Sequence, residues 1–577
     1  MAVPPTSTVL ILGGYGVFGG RIATALIKDA RFDVIVAGRD QRAAKVFCTQ
    51  HGGRAFALDR GSAHLAADIA SQDPHIVIDA AGPFQSYGDD PYSVARAAIA
   101  CGAHYLDLSD DAAFTSGITC LEADAKLRRV TVLSGVSTVP ALSSAVADAL
   151  TSGLHDVHLI ESVILPGNRA PRGLSVVRAI VAQAGLPLAL WRGGRAANVP
   201  GWSGLTRVDL NIPGKTPLTA RWASFIGAPD LSLFPKRYRA RSVLFRAGLE
   251  LKVMHGGLAA LTGLVRAGIV GSLSPIAKPL KWAADVLELF GSDRGGMRVR
   301  VIGETSAGTL EQRDWTLIAE AGDGPHIPAL AARVLCAKIL ACEVEPGARA
   351  CLGEFSLQEA EAALSVLDAA THRSDAAFLP VFSRVLGRDF SRLSQGLQDL
   401  HSLADVRIWS GRADIIRGKS LLSKLAGAVV GFPPGGNNVP VTVTMQRTER
   451  GETWIREFGT RRFCSHLAHG GPEGGPEGGP DGSGHMSERF GVLTFSLALS
   501  VTNGRLNFPV SGGSCLGIPL PRVLLPTSDT FEFIDEQGRA CFDVSISLPL
   551  AGHVVTYRGW LTPADAATAQ PSAAAAA

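Results

Sequence analysis

The sequence predicts a doubly wound parallel α/β sheet at the N-terminal end and a separate antiparallel β-rich domain toward the C-terminal end. Three observations carry this reading. Aliphatic runs alternate with helical stretches through residues 1–135. A glycine-rich turn joins the first run to the first helix. From about residue 375 the pattern changes to alternating strands separated by turn signals. A chain of 577 residues has room for two to four domains and buries sizeable cores.

The first run, Thr8 to Leu12, breaks at Gly13 and Gly14 and restarts as a helix at Arg21, with a second aliphatic run from Asp33 to Gly38. Gly14, Gly16 and Gly19 have the G-x-G-x-x-G spacing in the strand–turn–helix–strand context that a dinucleotide fingerprint requires. One glycine permits the tight turn, the next lets backbone approach a pyrophosphate, and the third lets helix pack on strand. The helix N-terminus offers unpaired N–H groups to the phosphates. This is a Rossmann unit, and Gly13, Gly14, Tyr15, Gly16, Val17, Phe18 and Gly19 are the expected cofactor-binding turn. The second strand ends in Gly38-Arg39 where an NAD-binding unit usually has Asp or Glu. A guanidinium cannot accept from a ribose hydroxyl, but its fork matches a 2′-phosphate, so NADP(H) is expected over NAD(H). Asp40 next to it could instead pair with Arg39 and blunt that preference.

Ala55 to Asp59 reads as a third strand, and Asp59 either meets the adenine, or Asp59 or Ser62 caps the following helix. His75 to Asp79 is a further buried strand, ending in Ala81, Gly82 and Pro83. Ligands of doubly wound sheets lie beyond the carboxyl ends of the strands, so these small residues should border the nicotinamide. Gly102 to Asp111 is a strand running into a polar turn, and Val130 to Gly135 is the next strand.

With these residues in place, the chain resembles saccharopine-dehydrogenase-like oxidoreductases. The likeness lies in the glycine turn, the Asp79-to-Phe84 strand end, Gly102 to Asp107, and Ser134 to Pro140. It continues through Pro166 to Gly173 and Asp323 to Pro328, and spans about the first 355 residues. The resemblance implies a Rossmann NAD(P)-binding domain (1–135) followed by a mixed α/β substrate and dimerisation domain (136–357), and hence a homodimer. It also implies hydride transfer between NADP(H) and an imine or carbonyl substrate. This chain has Ser109-Asp110-Asp111 where the family often has Gly-Glu.

Hydride transfer needs a proton donor near the accepting atom. None of the six tyrosines has a lysine four residues on, which disfavours the short-chain reductase arrangement. His104, Asp107 and Asp110 lie near a strand end and are the candidate catalytic residues. Arg169 and Arg172, in a Pro/Gly-rich loop, are candidates to clamp a carboxylate.

The β-rich domain spans 375–563, and Glu452 to Phe458 with Pro519 to Arg522 resembles an uncharacterised domain often appended to this family. A Gly/Pro tract (470–484) and an alanine tail (564–577) are expected to be disordered. His466, His469 and His485 flank the tract, but mobile glycines give no fixed geometry, so no metal site is expected. Nine cysteines without a C-x-x-C pair argue against a disulfide framework or a zinc ribbon. A net charge of +3 gives no reason to expect a nucleic-acid partner. No basic segment precedes the first apolar run, so a cytoplasmic enzyme acting on a small-molecule substrate is expected. The alternative is a non-catalytic NADP(H)-binding protein whose β domain binds lipid, a membrane surface or a protein. It is motivated by the apolar stretch Val253 to Ala277, which Arg266 interrupts.

Overall fold

Strands buried on both faces read as unbroken aliphatic runs, and those of the first sheet are of this kind. In the computed structural model, which describes residues 6–171, 173–448, 451–470 and 485–564, Val9 to Leu12 and Val34 to Ala37 are all buried. The glycine-rich tract over 471–484, the tail from 565 and Arg172 lie outside the described residues. The chain divides into two units, Met1–Trp191 with Ala196–Ala376, and Arg192–Arg195 with Ala377–Ala577.

The first unit opens with β1 (Ser7–Leu12), α1 (Gly19–Ile27), β2 (Phe32–Gly38), α2 (Gln41–His51), β3 (Arg54–Ala57), α3 (Leu65–Ala70) and β4 (Ile76–Asp79). Next come α4 (Ser93–Ala100), β5 (His104–Asp107), α5 (Ala112–Gly117), α6 (Glu122–Arg128) and β6 (Thr131–Ser134). After α7 (Ser143–Thr151) the chain builds a second, mixed sheet. Its parts are β7 (Leu154–Leu165), α8 (Leu174–Gln183), β8 (Pro187–Arg192), β9 (Arg195–Pro200), β10 (Thr206–Leu210), β11 (Leu218–Phe225) and α9 (Asp230–Tyr238). It continues with β12 (Ser242–Ala247), α10 (Lys252–Arg266), α11 (Ala277–Val286), β13 (Gly295–Thr305) and β14 (Leu310–Ala319). Helix α12 (Ile327–Leu340) then leads to β15 (Gly347–Ala350), α13 (Leu357–Leu364) and β16 (Ala369–Ala377).

The first sheet has the order β15-β6-β5-β4-β1-β2-β3, and every pair in it is parallel. Strand order reverses between β1 and β4, which opens a crevice beyond their carboxyl ends. The glycine turn follows β1 and the Ala81–Pro83 loop follows β4, so both flank that switch point. One strand departs from a simple sequential division. β15 returns to the first sheet after the whole second sheet has been built, pairing Gly347 to Ala350 with Thr131 to Ser134. The second sheet runs β10-β11-β12-β7-β13-β14-β16, with β8 pairing β12 and β9. Strands β7 and β12 are parallel and β7 and β13 antiparallel, which makes the sheet mixed. The apolar stretch from Val253 is α10 and the loop after it; His255, Leu258, Thr262 and Val265 face inward. Among the described residues no helix is long and apolar enough to cross a membrane.

The second unit is one antiparallel sheet of thirteen strands with three short helices before or across it, α14 (Val381–Leu386), α15 (Gln395–His401) and α16 (Leu421–Val430). The central strands are β17 (Val406–Arg417), β18 (Gly436–Thr448), β19 (Gly451–Phe458), β20 (Arg461–His469), β21 (Met486–Phe490) and β22 (Leu493–Leu497). The small strands β23 (Ser500–Thr502), β24 (Arg505–Asn507), β25 (Val510–Cys515) and β26 (Ile518–Pro519) form its edges. Strands β27 (Thr527–Ile534), β28 (Ala540–Leu548) and β29 (Gly552–Pro563) complete it. Every second residue of β18, namely Val441, Val443 and Met445, is buried on one face. This is the period-two pattern of a half-buried sheet.

Candidate active site

The turn after β1 is tight because Gly13 and Gly14 both donate to the Ala37 carbonyl (2.8 and 3.1 Å) and Gly16 donates to Gly13 (2.9 Å). Gly13 has φ +74°, the left-handed region that favours glycine. A Cβ on Gly19 would stand 2.3 Å from the Gly13 carbonyl oxygen, so only glycine lets α1 start this close to the turn. The amides of Tyr15, Val17 and Phe18 donate to no protein acceptor among the described residues. Three unpaired N–H groups at a helix N-terminus are an anion cradle, and this donor set fits a pyrophosphate.

At the end of β2 the Tyr15 ring lies against Gly38, and its hydroxyl accepts from the Asp40 amide at 3.0 Å. Asp40 does not pair with Arg39. Its carboxylate caps α2 by accepting from the Arg42 and Ala43 amides at 2.9 and 3.1 Å. Arg39 is exposed, and its side chain has no hydrogen-bond or ion-pair partner among the described residues. A free guanidinium at this strand end fits a 2′-phosphate. Asp59 is exposed two residues past β3 and accepts from the Gly61 amide (3.0 Å), while Ser62 accepts from the His64 amide (3.1 Å). Helix α3 has His64 at its N-cap and no side-chain capping bond.

Ala81, Gly82 and Pro83 follow β4 and lie partly or fully open to solvent, with the Gly13 backbone packed against Ala80 and Ala81. Beneath them two carboxyls are completely buried. Asp79 accepts from the Ala81 amide and the Tyr87 hydroxyl (both 3.0 Å), and desolvation pushes its pKa up to about 6. Asp107 accepts on Oδ1 from the Ser109 amide, the Ser134 hydroxyl and the Gly135 amide, each at 2.9 Å. Burial raises it to about 7. Asp107 thus ties the end of β5 to the end of β6, out of reach of a solvent-borne substrate.

His104 is the first residue of β5, at the amino end of the strand, and lies away from the crevice. Its Nδ1 accepts from the Thr131 amide (3.0 Å), and desolvation with His75 nearby lowers it to about 4, so the ring is neutral. The structure therefore does not bring His104 together with Asp107 and Asp110. Arg169 is the member of the proposed clamp within the described residues, and its guanidinium reaches the Leu289 carbonyl at 3.5 Å.

Asp110, by contrast, keeps part of its surface accessible to solvent. It lines a cleft of about 960 Å³ whose walls come from both sheets of the first unit. Its lining includes Pro83, Gln85 and Asp110 together with Arg178 on α8, Trp191 on β8 and Lys236 on α9. Gln85 donates Nε2–H to Asp110 Oδ1 at 3.1 Å. The surroundings desolvate the carboxyl and raise its pKa above the ordinary carboxylate range. Gln85, Arg178 and Lys236 carry no sequence motif. Only the fold brings them to one cleft.

Residues 9–133 match the family model for the saccharopine dehydrogenase NADP binding domain, and residues 393–561 match that for a domain of unknown function, DUF4166. No curated protein matches the chain. Among solved structures, apo histidine-tagged saccharopine dehydrogenase (L-Glu forming) from Saccharomyces cerevisiae is 16% identical, with a TM-score of 0.47. That match covers 64% of this chain and 100% of the other. A myo-inositol dehydrogenase from Corynebacterium glutamicum is 9% identical over 64% of this chain and 99% of its own, with a TM-score of 0.28. The chain therefore carries a dehydrogenase-type nucleotide-binding domain, the saccharopine dehydrogenase NADP binding domain, at its N-terminal end and a DUF4166 domain at its C-terminal end.

Proposed function

We propose that the first unit is an NADP(H)-dependent oxidoreductase acting on a small carbonyl or imine substrate in the 960 Å³ cleft, with Asp110 as proton donor. One observation carries this reading. A solvent-accessible carboxyl with a raised pKa lines the same cleft as Pro83, at the strand end beside the glycine turn. NADPH, when bound, supplies the hydride. The turn amides and Arg39 hold its phosphates, and the Gln85 hydrogen bond to Oδ1 leaves Oδ2 of Asp110 to carry and deliver the proton. Arg178 and Lys236, which line the same cleft, suit a substrate that bears a carboxylate.

Two measurements test it. Titration of Arg39→Ala should show NADPH binding weakened by roughly 10- to 100-fold, the worth of one charge-assisted contact, with NADH binding unchanged. Equal losses for both nucleotides would remove Arg39 from the 2′-phosphate. Screening carbonyl and imino acids for NADPH oxidation, and then comparing Asp110→Asn, should show kcat lower by on the order of 10²- to 10³-fold at unchanged NADPH affinity. Reduction should also slow as pH rises through the raised pKa of Asp110, because the acid form is lost. A variant with full rate and the same pH profile would reassign the donor.

A further inference from the structure

The second unit holds a partly open cavity of about 550 Å³ that the nucleotide chemistry does not use. Its wall is the inner face of the sheet. Val441, Val443 and Met445 of β18 and Phe542, Val544 and Ile546 of β28 point into it at every second position. The solvent-exposed part of its lining is equally apolar. Leu422 and Leu425 on α16 are 55% and 64% exposed while also lining the cavity, and Leu550 on the loop after β28 lines it while 87% exposed. Large apolar side chains left in water around an opening mark a site of apolar recognition.

The few polar groups inside are almost all satisfied. Arg456 pairs with Glu488 at 3.2 Å and donates to Ser465 at 2.7 Å, Glu532 pairs with His401 at 2.7 Å, and Ser528 bonds Thr530 at 2.8 Å. Tyr557 lines the same space, and its hydroxyl has no partner among the described residues. A charged ligand group would find no unpaired counter-charge and would meet the full desolvation penalty. An uncharged hydroxyl or carbonyl would find the tyrosine.

We propose that this DUF4166 domain binds one molecule of a neutral amphiphile, a long hydrocarbon chain ended by a hydroxyl or carbonyl group, with the chain in the cavity and the polar end at Tyr557. The volume lies within the range of sites that enclose one small ligand. The inference stands independently of the oxidoreductase reading, since its site lies wholly within the second unit.

The test is a titration of the full chain with straight-chain primary alcohols from octanol upward, followed by native mass spectrometry and by tryptophan fluorescence, since Trp454 lines the cavity. One-to-one binding should tighten about fourfold per added methylene, then level off once the cavity is full. Fatty acids of matched length should bind at least about tenfold more weakly at neutral pH, the effect of one uncompensated charge. Val544→Trp, which fills the cavity, should abolish binding while melting and NADPH titration stay as in the wild type. Tyr557→Phe, a minimal change that keeps the ring, should weaken alcohols about tenfold and leave alkanes unaffected. Three results would overturn the proposal. They are affinity rising without a plateau, preference for the carboxylates, or attachment to phosphatidylcholine vesicles that Val544→Trp leaves intact. The last would assign the exposed leucines to a membrane surface.

Discussion

Gly19→Ala should abolish dinucleotide binding, with a loss above about 100-fold, and should also lower the melting temperature of the first unit. The new Cβ would lie 2.3 Å from the Gly13 carbonyl oxygen, 2.9 Å from its carbonyl carbon and 3.1 Å from Gly14 Cα. All three are backbone atoms, so no side chain can rotate away. The start of α1 and the turn must separate, and the Tyr15, Val17 and Phe18 amides lose their common aim. Overpacking of this kind costs about 1–3 kcal/mol in stability. Gly16→Ala is the informative control. Its Cβ meets only the Gly13 oxygen at 3.1 Å, and the residue is exposed. That contact is tight but asks the Gly13 carbonyl to shift by only about a few tenths of an ångström, whereas the methyl sits on the surface where a pyrophosphate must approach. Gly19→Ala should therefore lose stability and binding together, and Gly16→Ala binding with little change in melting. Calorimetric titration and thermal melting of the two variants check this. Wild-type affinity in Gly19→Ala would mean that the turn holds no phosphate.

How much of this site is legible before folding differs from residue to residue, for physical reasons. The glycine turn is legible because its spacing encodes backbone geometry within a few residues, and the Gly38-Arg39 strand end is legible for the same reason. The status of Asp107 is not. Its donors Ser134 and Gly135 lie 27 and 28 residues away and converge only when β5 and β6 pair, so a strand-end aspartate reads as open to the crevice. His104 and Asp107 are near neighbours in the sequence, yet an extended strand at about 3.3 Å per residue puts them at opposite ends of β5. The strand Gly347–Ala350 carries no β-branched or aromatic residue, and only pairing with β6 makes it one. In the C-terminal domain, alternation announces an apolar face. It does not announce that this face encloses a space, because curvature is a property of the whole sheet.

Asp107→Asn should alter how the stability of the first unit depends on pH, and by a large amount. The folded pKa, about 7, lies above the ordinary carboxylate value, so the folded chain holds a proton that the unfolded chain releases. The stability this contributes is fully present below about pH 4 and is lost as pH rises toward 7, on the order of 4 kcal/mol across the window. Asp79, raised to about 6, and Asp230, raised to about 7 by burial beneath the hydroxyls of Ser143 and Ser162, act in the same direction. His104 and His255 act in the opposite one. Both are held near 4 by desolvation, and they withdraw stability as pH falls below their ordinary 6.5. The raw profile of the wild type is therefore a sum of opposed slopes, and the variant-minus-wild-type difference isolates Asp107. Asparagine keeps an oxygen for the three donors at 2.9 Å and cannot ionise. Its amide replaces Oδ2, a buried atom with no hydrogen-bond partner, at a fixed cost of about 1–3 kcal/mol at every pH. Denaturant melts at pH 4 and pH 8 should show the variant weaker than the wild type at pH 4 and more stable than it at pH 8, where the wild type's loss of about 4 kcal/mol exceeds the fixed cost. Asp107→Ala should be weaker than the wild type at pH 4 by about 3 kcal/mol or more, because three buried donors lose their acceptor. Parallel profiles for wild type and Asp107→Asn would mean that Asp107 is ionised in the folded chain throughout, and that the three donors, rather than burial, set its charge.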